Sequence, residues 1–356
     1  MHFAADDDHY IGLIGGGDGL EAFTQPGNGI RVAEVQGQAL MQGAGIPPAA
    51  CDRNAVFAVA AARQALISAG LGSGLPHPER VGVILGNSSG GQCSTDDQYS
   101  RLYTQNKRSP PMTVAKVMVS SSASWVSNAT GASGPCFVTS SACASSSHAI
   151  GTAMQFLREG LADIVIAGGT EAPLSAGTLL AWYAMKIMSR TLCRPFAAGR
   201  DGLMLAEGAG VVVLETEAHA RSRGLDPRGE IVGFGSSADP GDIMAPNVGG
   251  MMRAMALALA DAGLGAGDLA YVNAHGTGTD ANDRRDASSD PPLCRAAPSP
   301  TSSNKGATGR ALGAASALQT VAATMSIERG MAPPTANCDA PDPDAISTAF
   351  RMRVGQ

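Results

Sequence analysis

Apolar residues recur at helical spacing over residues 54–69, and Gly70 follows directly, which predicts a helix that ends at a glycine. Residues 81–86 instead predict a buried strand, and residues 162–169 form an apolar run of strand length bounded by glycines. Such runs are typical of parallel strands that are buried on both faces. The beginning of the chain therefore predicts helices that alternate with buried strands.

Further elements of both kinds are predicted along the chain as far as residue 320. Further strands are predicted at 10–14, 137–138, 211–214, 269–274 and 301–304, and further helices at 144–158, 250–262 and 310–320. Repetition in two halves predicts a layered α/β architecture with the site between the halves. We place the halves at residues 1–230 and 231–356.

One stretch, residues 134–151, combines a short apolar run with a dense cluster of small residues around Cys143. A strand, a turn over 139–142 and a helix are predicted there, which places Cys143 at a helix start. The first N–H groups of a helix have no intrahelical partner, so they favour a thiolate and can bind an oxyanion. On this stretch alone, a nucleophile and an inert buried cysteine remain equally open interpretations.

Composition excludes several classes of protein. Hydrophobic residues make up 44% of the 356 residues and charged residues only 16%, unlike a disordered chain. A formal charge of -6 and only 4% aromatic residues, with no basic run, argue against nucleic-acid binding. The seven scattered cysteines predict neither disulfides nor a metal site. Without an apolar span or a signal peptide, no membrane contact is expected and the cytoplasm is the predicted compartment.

Three more segments carry candidate chemistry. His275 ends a predicted strand and is followed by glycines and threonines that allow a sharp turn towards a cleft. Lys305 and Arg310 flank a turn near another predicted helix start. Arg200, Asp201 and Glu207 are interpreted as a structural ion-pair set that supports a loop under the site.

Four motifs occur in order: SSACASSSHAIG, RPFAAGRDGLMLAEGAG, NAHGTGTDAND and NKGATGRALGAAS. Together they resemble the β-ketoacyl-acyl carrier protein synthases, the elongating condensing enzymes of fatty acid and polyketide assembly. The resemblance covers residues 54–344. It implies a thiolase-like fold of two similar halves in αβαβα layers, a homodimer or a heterodimer with a related synthase, and no cofactor or metal.

The resemblance also implies roles for individual residues. Cys143 would accept the acyl chain from an acyl carrier protein as a thioester. A malonyl thioester would then lose CO2, and its enolate would attack the acyl group. His275 matches one of two histidines that donate hydrogen bonds to the malonyl thioester oxygen, and Lys305 matches the supporting lysine. Docking of the acidic carrier protein would require a local basic surface.

The second histidine of the family pattern KxxxGHxxGAA is replaced by Arg310. A guanidinium donates hydrogen bonds, but its charge is permanent and its fork pairs well with carboxylates. Beside Lys305 it would hold the malonyl carboxylate in its ionised ground state and thereby slow decarboxylation. We therefore expect impaired condensation.

Two further segments depart from the family. Residues 287–300 lack the expected helix and strand pattern, and residues 350–356 replace the final strand and its glycine-rich oxyanion loop. The C-terminal strand is therefore expected to be incomplete and the second half truncated. Frame shifts, a damaged copy and true divergence are equally compatible with both segments.

Three functions follow. The first is a condensing enzyme that uses Cys143, His275 and Lys305. The second is a non-catalytic partner subunit like the chain-length factors of polyketide synthases, favoured by Arg310, although those partners usually lose the cysteine that is present here. The third is an acyltransferase or thioesterase that uses Cys143 without condensation.

Overall fold

A five-stranded mixed sheet forms the centre of the computed structural model, which describes residues 13–14, 22–23, 30–35, 45–46, 49–242, 245–289 and 299–345. The strands are β1 (Leu13–Ile14), β2 (Ala22–Phe23), β3 (Ile30–Arg31), β4 (Val81–Gly86), β5 (Cys136–Thr139), β6 (Ile164–Glu171), β7 (Gly208–Glu215), β8 (Val272–Asn273) and β9 (Thr301–Ser302). The order in the sheet is β1-β7-β6-β4-β5. As predicted, β4 and β6 are fully buried and β6 is a parallel strand, paired with β4, whereas β7 is antiparallel to β6.

Helices cover both faces of this sheet. Over the described residues, the α-helices of the protein are α1 (Arg53–Ser68), α2 (Gln92–Gln105), α3 (Met112–Val117), α4 (Ser121–Thr130), α5 (Ser145–Arg158), α6 (Ala176–Ala184), α7 (Glu217–Ser222), α8 (Val248–Ala262), α9 (Asp280–Ser289), α10 (Lys305–Thr308) and α11 (Ala315–Arg329).

Alternate residues of the buried strands join different clusters. Val83 and Leu85 pack with α1 on one face, whereas Ile84 packs with α5 on the other. This alternation follows from the two-residue period of a strand, and it explains why these strands carry apolar residues at successive positions. The α/β fold class predicted from the sequence is confirmed.

The later part of the chain has a shorter sheet. β8 and β9 are parallel, with Val272 opposite Thr301 and Asn273 opposite Ser302, so the strand predicted over 269–274 has only two residues. Gln319 on α11 donates hydrogen bonds to the carbonyls of Asn273 and Ala274 where β8 ends.

The predicted division at residue 230 stays a prediction. Most of the anomalous segment 287–300 and all of 350–356 lie outside the described residues, so the expected incomplete C-terminal strand does too. Within the described ranges, no helix has the length and apolar character needed to cross a membrane.

Gly86 provides a test of how closely the sheet meets α5. A Cβ atom at Gly86 would overlap the backbone of Ser145 and Ser146, which cannot move without displacing the helix. We expect Gly86→Ala to lower the free energy of unfolding by about 3 kcal/mol, because overpacking against a fixed backbone is destabilising. Urea unfolding followed by circular dichroism measures this change.

The matched control is Gly267→Ala, because a Cβ atom at Gly267 would meet no heavy atom within 4 Å. Its free energy of unfolding should stay within about 0.5 kcal/mol of the wild-type value. Equal stability of the two variants would contradict the close packing of β4 on α5.

Candidate active site

Cys143 lies in a tight turn between β5 and α5. Ala142, immediately before it, has a φ of +51°, a left-handed conformation that is uncommon for residues other than glycine. The Ser145 hydroxyl donates to the Ala142 carbonyl at 2.7 Å and accepts from the Ser141 amide at 2.9 Å. These contacts hold the turn, and they place Cys143 two residues before the first residue of α5, in agreement with the prediction of a cysteine at a helix start.

The start of α5 is joined to the segment that leads into α11. The Ser146 hydroxyl donates to the Gly313 carbonyl, and the Ser147 amide donates to the Ser316 hydroxyl at 3.0 Å. The Ser316 hydroxyl also donates to the carbonyl of Cys143 at 3.3 Å. Residues far apart in the chain thus fix the backbone on both sides of the nucleophile candidate.

His275 directly follows β8, and buried carboxylates hold the loop after it. Asp286 accepts from the Gly276 amide at 2.6 Å, and Asp283 accepts from the amides of Thr277 and Gly278 at 3.0 and 3.2 Å. Burial, together with the positive charges of Lys305 and Arg310, holds the pKa of His275 well below its usual range. The imidazole is therefore neutral at pH 7 and can donate one hydrogen bond.

Lys305 is almost completely buried, with 1% of its surface exposed. Its Nζ atom has no hydrogen-bond partner among the described residues. Burial, followed by the positive charge of Arg310, lowers the pKa of Lys305 to about 8. A buried ammonium without a partner is costly, so this group is suited to meet an anionic ligand.

Arg310 reaches the nucleophile candidate itself. Its Nη2 atom lies 2.9 Å from the sulfur of Cys143, within hydrogen-bond distance. The Cζ atom of the same side chain lies 5.5 Å from the centre of the Trp182 ring, a cation–π distance. The expected action of Arg310 beside Lys305 on a carboxylate stays a prediction, and the structure adds that its guanidinium contacts the sulfur.

The backbone of Arg310 explains where α11 begins. Its amide donates to the Met204 carbonyl at 2.8 Å and its carbonyl accepts from the Ala206 amide at 3.0 Å, in a bridge with Leu205. An extended residue cannot also belong to a helix. The helix predicted over 310–320 therefore begins only at Ala315, after a short 3-10 turn at Leu312–Ala314.

The predicted ion-pair set of Arg200, Asp201 and Glu207 is wrong as a set. Arg200 pairs with Asp280, Asp283 and Asp342, Glu207 accepts from Arg53 at 2.5 Å, and Asp201 accepts from the Ser189 hydroxyl. Each residue nevertheless stabilises a loop, and Arg200 supports the loop after His275 through Asp283. The three residues lie in one segment of the sequence, but their side chains contact different partners.

Two residues of this region, Glu171 and Trp182, were not predicted from the sequence. Glu171 at the end of β6 accepts from the amides of Ser88, Ser89 and Gly313, and so connects the loop after β4 to the segment that carries Arg310. Trp182 lies on α6, remote in sequence from every motif. A carboxylate at the end of an apolar strand is a recognisable feature, whereas nothing in the sequence marks Trp182.

The turn at Cys143, the neutral His275 and the buried Lys305 form a site that combines a nucleophile with groups able to bind an anion. The chain matches two families, "Beta-ketoacyl synthase, N-terminal domain" over residues 34–220 and "Beta-ketoacyl synthase, C-terminal domain" over residues 228–339. Together these matches span most of the sequence. The protein belongs to the beta-ketoacyl synthase family.

Similarity to individual proteins supports the same family assignment. The chain is 43% identical to nodulation protein E of Rhizobium meliloti, over 82% of this chain and 74% of the relative. It is 34% identical to 3-oxoacyl-[acyl-carrier-protein] synthase 2 of Staphylococcus aureus (strain COL), over 82% and 73%. Among solved structures, the ishigamide ketosynthase/chain length factor matches with a TM-score of 0.85 and 29% identity, over 92% of this chain and 82% of that one. The predicted thiolase-like fold is confirmed.

The pKa of Lys305 leads to a pH-dependent prediction. Because that pKa is about 8, the ammonium is charged below this pH and neutral above it. We expect free malonate to protect Cys143 from iodoacetamide, and to do so less effectively as the pH rises from 7 to 9. Loss of one charged hydrogen bond weakens binding about tenfold. The measurement is the malonate concentration that halves the alkylation rate at each pH.

Lys305→Met should reduce protection at pH 7 by about the same factor and remove the part of the pH dependence that the lysine causes. The exposed Lys107 provides the control, since Lys107→Met leaves the buried charge in place. Equal pH dependence in wild type and Lys305→Met would contradict this assignment.

Proposed function

We propose that this protein accepts an acyl group on Cys143 from an acyl carrier protein, and that it condenses this group with a malonyl thioester slowly because Arg310 replaces a histidine. The observation that carries the proposal is the contact of 2.9 Å between Arg310 and the Cys143 sulfur. Membership of the beta-ketoacyl synthase family supports condensation as the reaction class. The position of Arg310 supports a slow condensation rate.

In the loading step, the Cys143 thiolate attacks the thioester carbonyl of the acyl donor, and the carrier-protein thiolate leaves. The Cys143 sulfur then carries the acyl group and no charge. The backbone N–H of Cys143 itself would donate to the transient oxyanion. Arg310 supplies a positive charge at the sulfur, which stabilises the attacking thiolate.

In the condensation step, the malonyl carboxylate leaves as CO2, and the electron pair of the broken bond forms an enolate. The enolate carbon attacks the acyl carbonyl, a carbon–carbon bond forms, and the Cys143 thiolate is released. Neutral His275 can donate a hydrogen bond to the enolate oxygen. Charged Lys305 and Arg310 both stabilise the carboxylate that must be lost, so they stabilise the ground state of this step more than its transition state.

A partner-subunit function is the second candidate. The likeness to the ishigamide ketosynthase/chain length factor favours it, because the name of that structure includes a chain length factor beside a ketosynthase. Arg310 on the sulfur is compatible with a subunit that does not turn over. Retention of Cys143 favours the catalytic proposal instead, and an acyltransferase or thioesterase would use Cys143 without condensation.

Two measurements test the proposal. Wild-type protein is incubated with an acyl-carrier protein, and the added acyl mass on Cys143 is measured by intact-protein and peptide mass spectrometry, with Cys143→Ala as the control. Product formation is then followed after addition of malonyl-carrier protein. We expect loading in the wild type and a condensation rate that Arg310→His raises about 100-fold, the usual contribution of one oxyanion donor in acyl transfer.

The possible results separate the candidates. Condensation by the wild type as fast as by Arg310→His would contradict the restriction on rate. Absence of acyl-Cys143 in the wild type would contradict the catalytic proposal and favour the partner-subunit function. Loading followed by hydrolysis, with no condensation in either protein, would identify a thioesterase.

A further inference from the structure

The Trp182 ring contacts Arg310, and the guanidinium of Arg310 contacts the sulfur of Cys143. The indole lies half-buried near the end of α6, with the Arg310 Cζ atom 5.5 Å from its centre. On the other side, the Nη2 atom of Arg310 lies 2.9 Å from the Cys143 sulfur. The three side chains thus form a stack, ring to guanidinium to sulfur, which we call the Trp182 stack.

The guanidinium has few other supports. Its Nε atom is buried and has no hydrogen-bond partner among the described residues. The backbone of Arg310 is fixed by its bridge with Leu205, but a bridge at the backbone does not set the direction of a long side chain. The Trp182 ring and the Cys143 sulfur therefore account for where the charge lies.

The ring itself is held on a rigid element. The Ser175 hydroxyl caps the start of α6 by accepting from the Thr178 amide. Leu179, one turn before Trp182, is fully buried in a cluster with Leu205 and Leu312. Those leucines lie on the segments that pair with Arg310 or directly follow it, so the ring and the guanidinium are fixed to the same core.

We propose that Trp182 is a positioning residue that holds the Arg310 guanidinium against the Cys143 sulfur, and thereby makes this cysteine react preferentially with anionic acyl donors and reagents. The inference rests on the proposed role of Cys143 as the acyl acceptor. A cation–π contact directs the guanidinium without neutralising it, because the ring face carries only a quadrupole. The charge therefore remains available to an incoming anion.

Paired alkylating reagents test the proposal without a carrier protein. Iodoacetate is anionic and iodoacetamide is neutral, and both alkylate a thiolate at similar size. The ratio of their rates at Cys143, measured by peptide mass spectrometry, reports the charge at the sulfur, and the exposed Cys136 serves as an internal reference. The proteins are wild type, Trp182→Phe, Trp182→Leu and Arg310→Gln, with Trp125→Leu as the control for loss of a tryptophan elsewhere.

We expect Trp182→Leu to lower the iodoacetate-to-iodoacetamide ratio about threefold to tenfold, the range of a cation–π contact. Trp182→Phe, which keeps an aromatic face, should retain part of the wild-type ratio, and Trp125→Leu should retain all of it. Arg310→Gln should show the lowest ratio. In the Arg310→Gln background, Trp182→Leu should change nothing further, because the two residues act through one contact.

Equal slowing of both reagents in Trp182→Leu, with an unchanged ratio, would assign Trp182 a merely structural role and overturn the proposal. A fall in the ratio that persists in the Arg310→Gln background would overturn it as well. Because alkylation requires neither acyl loading nor condensation, a correct ratio without acyl-Cys143 would overturn the proposed function alone.

Discussion

The candidate active site depends on buried carboxylates that accept hydrogen bonds from loop amides. Glu171 joins the loop after β4 to the segment before α11, and Asp283 and Asp286 together hold the loop after His275. Loops that meet at the end of a sheet cannot satisfy their amides by strand pairing, and a buried unpaired amide is costly. Each carboxylate therefore replaces missing backbone partners, and the candidate site residues on different loops acquire fixed relative positions.

Because these carboxylates accept from amides, the centre of the site has an excess of positive charge. The carboxylates are occupied with amides, while Arg310 lies at the sulfur and its positive charge contributes to the lowered pKa of Lys305. Desolvation lowers the pKa of His275 and of Lys305, but the guanidinium stays charged under all ordinary conditions. The replacement at position 310 thus changes more than one hydrogen-bond donor. It adds a permanent charge where the family pattern has a group that can be neutral.

The buried strands and the nucleophile turn could be predicted from the sequence because local signals specify them. Continuous apolar runs marked β4 and β6, and small residues around Cys143 marked the turn. The start of α11 and the partners of Arg200 could not be predicted, since both depend on segments distant in sequence, such as the bridge between Arg310 and Leu205. Trp182 was missed for the same reason. Trp182 matters because its ring stacks on Arg310, a residue distant in sequence, and no motif includes Trp182.

The chain contains two tryptophans, and one of them is part of the Trp182 stack. The emission of an indole depends on its surroundings, and modification of the Cys143 sulfur would change the surroundings of the guanidinium that contacts this ring. Trp182 is therefore a built-in optical probe of the Cys143 sulfur. With Trp125 replaced, the occupancy of the site can be followed in real time by fluorescence, without labels and without a chromogenic substrate.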